Sequence, residues 1–257
     1  MGKGVDASFW DKVGSEIGYD FTSLRLYREG ENCEEKFRRL VTNNICQNSV
    51  AIDIGVADGS FDISLSDKLK FIVGIDTSTK MIEKARQKLA ISGSRNVFLS
   101  ISDGRELPFA DAQFDISISR RGPSTSSMEF LLETKRILNR GGIFLEITIG
   151  EKDKENIKRI FGRGQNYTAL MAGRSEMLRK KAMLQKAGFV DIEVSEMNSA
   201  EFYESVEDIM FLLRNTPIIP DFNRINDMEY IHKLMKDAKT ERGIRTNSHR
   251  IIISARK

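Results

Sequence analysis

Three aspartates, Asp53, Asp76 and Asp103, each end or follow a short apolar run: SVAIDI (49–54), KFIVGID (70–76) and NVFLSIS (96–102). Carboxylates at neighbouring strand tips can accept hydrogen bonds from ligand hydroxyls and amines, on the edge where such sheets bind ligands. Between the first two aspartates, Gly55 and Gly59 bracket the loop GVADG, which runs into a helix opening near Ser60. Glycines there let the backbone approach a ligand, and the exposed amides of a helix start favour an anionic group. Asp76 follows Gly55 by about 20 residues, the interval at which a carboxylate reaches both ribose hydroxyls. Taken singly, the GxxxG loop is also a tight strand-to-helix connection, and each Asp is also a cap. Their joint placement is much harder to reach by chance.

The middle of the loop narrows the ligand further. A dinucleotide site needs a second glycine so that backbone can approach the pyrophosphate. Here that position is Ala57, followed by Asp58, whose carboxylate would repel phosphate. A phosphate-free ligand suits the loop better. If position 57 adopts a positive φ, an alanine there costs about 1 kcal/mol.

Several elements must position these residues. FDISIS (114–119) and GGIFLEITIG (141–150) are further strand-like runs, rich in Ile, Val and Phe as strands covered on both faces should be. STKMIEKARQKLA repeats Met81, Ile82, Ala85 and Leu89 on one helical face. SSMEFLLETKRIL opens with Ser126 and Glu129 at capping-box spacing, and Gly141-Gly142 is expected to stop that helix. This alternation builds an α/β, doubly wound, mostly parallel sheet with helices on both faces. The expected organisation is an N-terminal helical cover (1–47), a ligand-binding core (48–150) and a C-terminal half of the same domain (151–257). That half carries a helix at 174–189, a strand at 190–197, a helical insertion at 199–247 and a final strand at 248–256.

The bulk numbers exclude some classes. With 40% hydrophobic and 30% charged residues the chain is an ordinary globular protein with a core, and a net charge of +3 gives no bulk basic excess for nucleic acid. Cys33 and Cys46 form no close pair and have no neighbouring histidine, so neither a disulfide framework nor a metal site is expected. No apolar run approaches the ~20 residues of a membrane span. The opening MGKGVDASFW has no apolar signal core, and Asp6 stands where a myristoylation motif wants Ser or Thr. A cytoplasmic location without membrane contact is expected. The patterning specifies no oligomeric state.

As a set, these motifs resemble the class I S-adenosylmethionine-dependent methyltransferases, and most closely the branch that includes the ubiquinone and menaquinone C-methyltransferases. VAIDIGVADGSF resembles the first family motif and FIVGIDTSTKMIEKAR the second. ISDGRELPFADAQFDISIS resembles the third and fourth, and ETKRILNRGGIFLEIT the fifth. The resemblance implies a Rossmann-like, seven-stranded sheet with an antiparallel last strand plus added helices, and S-adenosylmethionine as cofactor. It places the methionine end of the cofactor on Asp53 and the backbone of Gly55, Ala57, Asp58 and Gly59. Asp76, followed by Thr77, would hold the ribose, and Met81 would pack beside the adenine. Asp103 and the Gly104 N–H would read the adenine edge, and Ser119 and Arg120 would face the methyl group. The pieces MFLLRNTPIIPDF and SHRIIISARK also resemble methyltransferase-like bacterial proteins of undefined substrate.

Methyl transfer from a sulfonium needs mainly alignment, and needs a general base only when the acceptor must lose a proton. No base is evident. His232 reads as a partly buried helix residue and His249 as a structural hydrogen-bonding group. Trp10, Tyr19 and Tyr167, with Phe9, are candidate aromatic linings, although Phe9 and Trp10 equally suit packing of a terminal helix. Arg120 and Arg121, in RRGPSTSS, either bind an anionic acceptor or face solvent. A small-molecule acceptor is expected. One alternative is an RNA methyltransferase using the modest basic clusters RRL, GRGQ and LRKKAML, and another is a non-catalytic adenosylmethionine binder. The loop and Asp103 disfavour a nicotinamide oxidoreductase.

Overall fold

The computed structural model describes residues 7–16, 23–122 and 126–257. Strands β2 (Val50–Ile54), β3 (Phe71–Asp76), β4 (Val97–Ile101), β5 (Phe114–Arg120) and β6 (Leu138–Ile149) pair in parallel. β2 sits between β3 and β5, so the strand order reverses there. Crevices for ligands form at such reversals, beyond the carboxyl ends of the strands. β9 (Gly243–Arg256) runs antiparallel between β6 and β7 (Val190–Tyr203), as expected for the last strand.

The described sheet has nine strands rather than the expected seven. The additions are β1 (Leu26–Glu29), which pairs with the far end of β7, and β8 (Lys239–Thr240), which pairs with the start of β9. Both are too short to show a period in the sequence. The span expected as a helical insertion at 199–247 begins and ends in strand, because β7 and β9 each run for 14 residues. Its helices are α9 (Val206–Asn215) and α10 (Met228–Ala238), and His232 on the latter is exposed rather than partly buried. The N-terminal cover likewise contains β1 between α1 (Ala7–Glu16) and α2 (Cys33–Asn43).

Two apolar layers hold the sheet, which explains why its strands read as continuous apolar runs. Phe144, Ile251 and Ile253 face one layer with Phe130 and Leu184, from α5 (Met128–Ile137) and α8 (Glu176–Lys186). Their chain neighbours Ile143, Leu145 and Ile252 face the other, with Phe37 from α2 and Phe61 from α3 (Ser60–Ile63). A third cluster joins α9 and α10 through Ile209, Leu213, Ile231 and Leu234. The cap of α5 is Ser127, whose Oγ accepts from Phe130 N at 3.1 Å, rather than Ser126. α5 already ends at Ile137, so Gly141 and Gly142 fall inside β6 and do not stop the helix. Among the described residues no helix is long and apolar enough to cross a membrane.

Candidate active site

Gly55 and Gly59 both take the left-handed conformation (φ 95° and 72°), and the loop is pinned to β3 by Gly55 N and Val56 N donating to Ile75 O. Ala57 is left-handed too, at φ 52°. Its N–H donates to Asp76 Oδ2 at 3.0 Å, and Ser78 N donates to Asp76 Oδ1 at 2.9 Å. The Thr77 N–H also points at this carboxylate; burial nevertheless leaves the Asp76 pKa above its ordinary value. Ser78 in turn caps α4 (Thr79–Ser92) by accepting from Met81 N, and donates its hydroxyl to Asp11 of α1 at 2.7 Å. α1 crosses α4 closely enough that a Cβ on Gly14 would lie 2.9 Å from Lys80 Cβ.

Asp53 lies at the tip of β2, 1% exposed, against Asp62 of α3, which is fully buried. Burial pushes Asp53 up to about 6, with Asp62 as its hydrogen-bond partner, and pushes Asp62 well above its ordinary value. Two buried carboxyls in contact resist ionising together. No other donor reaches Asp53 Oδ1 or either Asp62 oxygen among the described residues.

The remaining expected cofactor residues divide. The Asp58 carboxylate accepts from Ser60 N at 3.2 Å and pairs with Lys88 at 2.5 Å, so it braces the turn before α3 and ties it to α4. Asp103 is clasped by Arg105 through both oxygens, which holds it below the usual carboxylate range. Gly104 is packed so tightly that a Cβ would stand 2.6 Å from Ile54 Cγ2. Met81 is buried in the core. Ser119 is fully buried and donates to Ile54 O at 3.0 Å, which makes it a strut between β5 and β2 rather than a group facing a ligand.

Arg120 lies with its guanidinium 4.3 Å above the Phe61 ring and points Nη2 at Glu34 of α2, 3.4 Å away. Arg121, left-handed at φ 60°, reaches the other oxygen of Glu34 at 3.5 Å. Burial alone would raise Glu34, but Arg121, Arg120 and Arg250 together hold it down to about 2. These residues line a cavity of about 470 Å³, of the size that takes small ligands. Leu26, Ile149, Leu212 and Ile218 form its apolar walls, and Trp10 lies at its rim. Arg28 bonds Glu201 at 2.7 Å, Lys154 pairs with the same carboxylate, and Arg250 binds Asp153 at 2.5 Å. Against the burial that opposes it, Lys154 and Arg28 hold Glu201 at about 2. Each carboxylate in the cavity is thus a poor proton acceptor. Arg120 Nε and Gln165 Oε1 are buried with no hydrogen-bond partner among the described residues. Tyr167, on α7 (Tyr167–Met171), does not line the cavity, because the chain turns at Asn166 and it is Gln165 that faces inward. Tyr19 lies outside the described residues.

The glycine loop touches the chain just beyond the cavity lining, one residue past Arg121. A Cβ on Gly55 would lie 3.3 Å from Gly122 Cα, in the loop that follows Arg121. A family profile described as "Methyltransferase domain" matches residues 45–238. The chain belongs to the class I S-adenosylmethionine-dependent methyltransferases. The chain is 26% identical over 136 residues to the arsenite methyltransferase of Halobacterium salinarum, a match covering 51% of the chain and 34% of that protein. The chain therefore spans about a third of that relative's length. Its fold matches a functionally unknown protein from Deinococcus radiodurans R1 with a TM-score of 0.65 at 16% identity, covering 97% of this chain and 99% of the other. It matches Haemonchus contortus phosphoethanolamine N-methyltransferase 2, in complex with S-adenosyl-L-methionine, with a TM-score of 0.56 at 16% identity, covering 98% of this chain and 56% of that one. At such identities the likeness is one of fold.

S-adenosylmethionine is the cofactor of the family, and the residues present fit it. A cationic, phosphate-free ligand suits a cradle of buried carboxyls, two of them with oxygens that no other donor reaches among the described residues. Among the described residues, Glu151, Glu196 and His249 bring ligand-type atoms within 4.8 Å of one another. His249 Nδ1 accepts from Lys152 N at 3.2 Å and Nε2 donates to Glu196 at 3.3 Å, so both ring nitrogens serve structural bonds. Because Ser248 and Arg250 line the cavity, His249 faces away from it.

Sequence reasoning missed Asp62, Glu34, Arg28, Lys154, Glu201 and Arg250. Only Asp62 leaves a local trace, as a carboxylate between Phe61 and Leu65 on an otherwise apolar helix face. The others become partners only through the fold, as with Arg28 and Glu201, which sit 173 residues apart.

Proposed function

We propose that this chain transfers a methyl group from S-adenosylmethionine to a small-molecule acceptor in the cavity beyond β5, as a cytoplasmic enzyme. The LPF…FD and RIL…GG blocks support placing it near the ubiquinone and menaquinone C-methyltransferases. The observation that carries the reading is the close approach of the glycine loop to the segment leaving the cavity, at Gly55 and Gly122, one residue past Arg121. Bound in the loop, the cofactor supplies a methyl group already activated by its sulfonium. Asp53 would take the cofactor ammonium, Asp76 the ribose hydroxyls, and Asp103 with the Gly104 N–H the adenine edge. Arg120, between Asp53 and Glu34, would orient the acceptor at the junction. The chain's main contribution is alignment and exclusion of water, since no cavity carboxylate is free to take a proton.

The kinship to an arsenite methyltransferase does not carry over to arsenite as acceptor. Trivalent arsenic is thiophilic, and the cysteines are Cys33, in the cavity wall, and Cys46, exposed before the amino end of β2. The length of β2, about 16 Å, separates the two ends. A cavity of about 470 Å³ also suits a small molecule better than RNA. Calorimetric titration tests the reading: S-adenosylmethionine and S-adenosylhomocysteine bind and NAD does not. Binding of NAD alone would overturn it.

A further inference from the structure

Asp62 is a carboxyl that no donor serves. Its side chain is fully buried on α3, and neither oxygen has a hydrogen-bond partner among the described residues. Oδ2 lies against the bare backbone of β3, where a Cβ on Gly74 would stand 2.6 Å from it. That backbone has no amide to spare, because β3 is paired with β2 on one side and β4 on the other. An ionised carboxylate in such a place would suffer the full cost of desolvation, and keeping a proton removes that cost. A protonated carboxyl is also a hydrogen-bond donor.

The acceptor in contact with it is Asp53, at the tip of β2. The other charged groups facing Asp53 are Arg120 from β5 and Asp76 from β3. Arg120 acts on both carboxyls through its charge and not through a bond; its Nη2 turns to Glu34, and its Nε bonds nothing among the described residues. Burial and the Asp76 charge both oppose ionisation of Asp53, so Asp53 needs a donor to stay charged. Resting on the methyltransferase reading, we propose that Asp62 is a positioning residue that keeps its proton and donates it in a hydrogen bond to Asp53, holding that carboxylate charged for the cofactor's ammonium. Asp62 itself never meets the cofactor. An asparagine in its place still offers a donor, whereas a leucine of similar shape does not.

The test measures S-adenosylhomocysteine affinity of the full chain by titration calorimetry between pH 5 and 8.5, in wild type, Asp62→Asn and Asp62→Leu. Asp53, raised by burial to about 6, gains a proton as pH falls and loses the charge that the ammonium meets. Wild-type affinity therefore drops about tenfold from pH 7 to pH 5. Asp62→Asn binds within about twofold of wild type at pH 7.5 and weakens over the same pH range. Asp62→Leu weakens at higher pH: it binds several-fold less tightly than wild type at pH 7.5 and nearly as well at pH 8.5, a recovery that misfolding cannot imitate. Infrared difference spectra of wild type against Asp62→Asn read the proton itself. A protonated-carboxyl band persists in the wild-type complex at pH 7.5 and is missing from the variant. Asp62→Asn and this band decide the matter where Asp62→Leu does not fold. About tenfold or greater loss in Asp62→Asn at pH 7.5, a pH-independent loss in Asp62→Leu, or absence of the band overturns the proposal. If wild type binds S-adenosylhomocysteine while one of these is seen, the role of Asp62 fails and the methyltransferase reading stands. If wild type binds none at any pH, that reading fails and takes the role of Asp62 with it.

Discussion

Replacing Asp53 with Asn should stabilise the protein without ligand and weaken its grip on the cofactor. Burial raises the Asp53 pKa from 3.8 to about 6. The folded protein therefore holds more protons than the unfolded chain between those values, and stability falls as pH rises through that window. Below about 4 the penalty is absent; above about 6 it is complete. A shift of about 2 units corresponds to about 3 kcal/mol, an upper bound because Asp62 shares the proton. Asp53→Asn removes that charge while its amide can donate to Asp62. For a chain of this size each kcal/mol moves Tm by about 2–4 °C, so scanning calorimetry at pH 7.5 should show a rise of about 4–10 °C. At pH 4.5 the rise should shrink to about a third of that, since part of the window lies below this pH. Titration with S-adenosylhomocysteine should show weaker binding in the same variant at pH 7.5. A lower or unchanged Tm at pH 7.5, or an equal gain at both pH values, would refute the buried-charge argument.

Asp76→Ala should weaken S-adenosylmethionine binding by one or two lost hydrogen bonds, about 1–3 kcal/mol each, as read by titration calorimetry; unchanged affinity would rule out the ribose role. Ala57→Gly relieves a left-handed alanine at φ 52° and should raise stability in urea by about 0.5–1 kcal/mol, whereas a loss would mean the side chain packs usefully. Lys180→Met strands the buried Glu146, 2.6 Å from it, and should cost about 3–5 kcal/mol in urea; adding Glu146→Gln should recover part of the loss, and a cost under about 1 kcal/mol would show that water reaches the pair.

The alternation of apolar runs with helical periods was enough to foresee a parallel sheet and to put Asp53, Asp76 and Asp103 at its carboxyl edge, because those patterns are local. Asp53 and Asp76 do come together there, close enough for the Asp76 charge to raise the Asp53 pKa. Asp103 is a different case, since Arg105, two residues on, engages its carboxylate. β1 was illegible because LYRE has no period long enough to compete with the helical pattern around it. The extent of β7 was hidden for another reason. Its outer half, NSAEFY, carries Glu201 towards Arg28 and Lys154, and a buried charge reads as surface when its partners lie far along the chain. Tyr167 carries only its residue type as a signal, and type does not fix direction.

Ser78 ties two parts of the molecule into one circuit. Its amide holds Asp76 and its hydroxyl holds Asp11, so the carboxylate that would meet the ribose and the helix that carries Trp10 share a single residue. Any ligand that draws on Asp76 must therefore also bias the docking of α1. Proteolytic trimming of that helix should slow as the nucleoside end of the cleft fills, so a protease can register occupancy some distance from where the ligand sits.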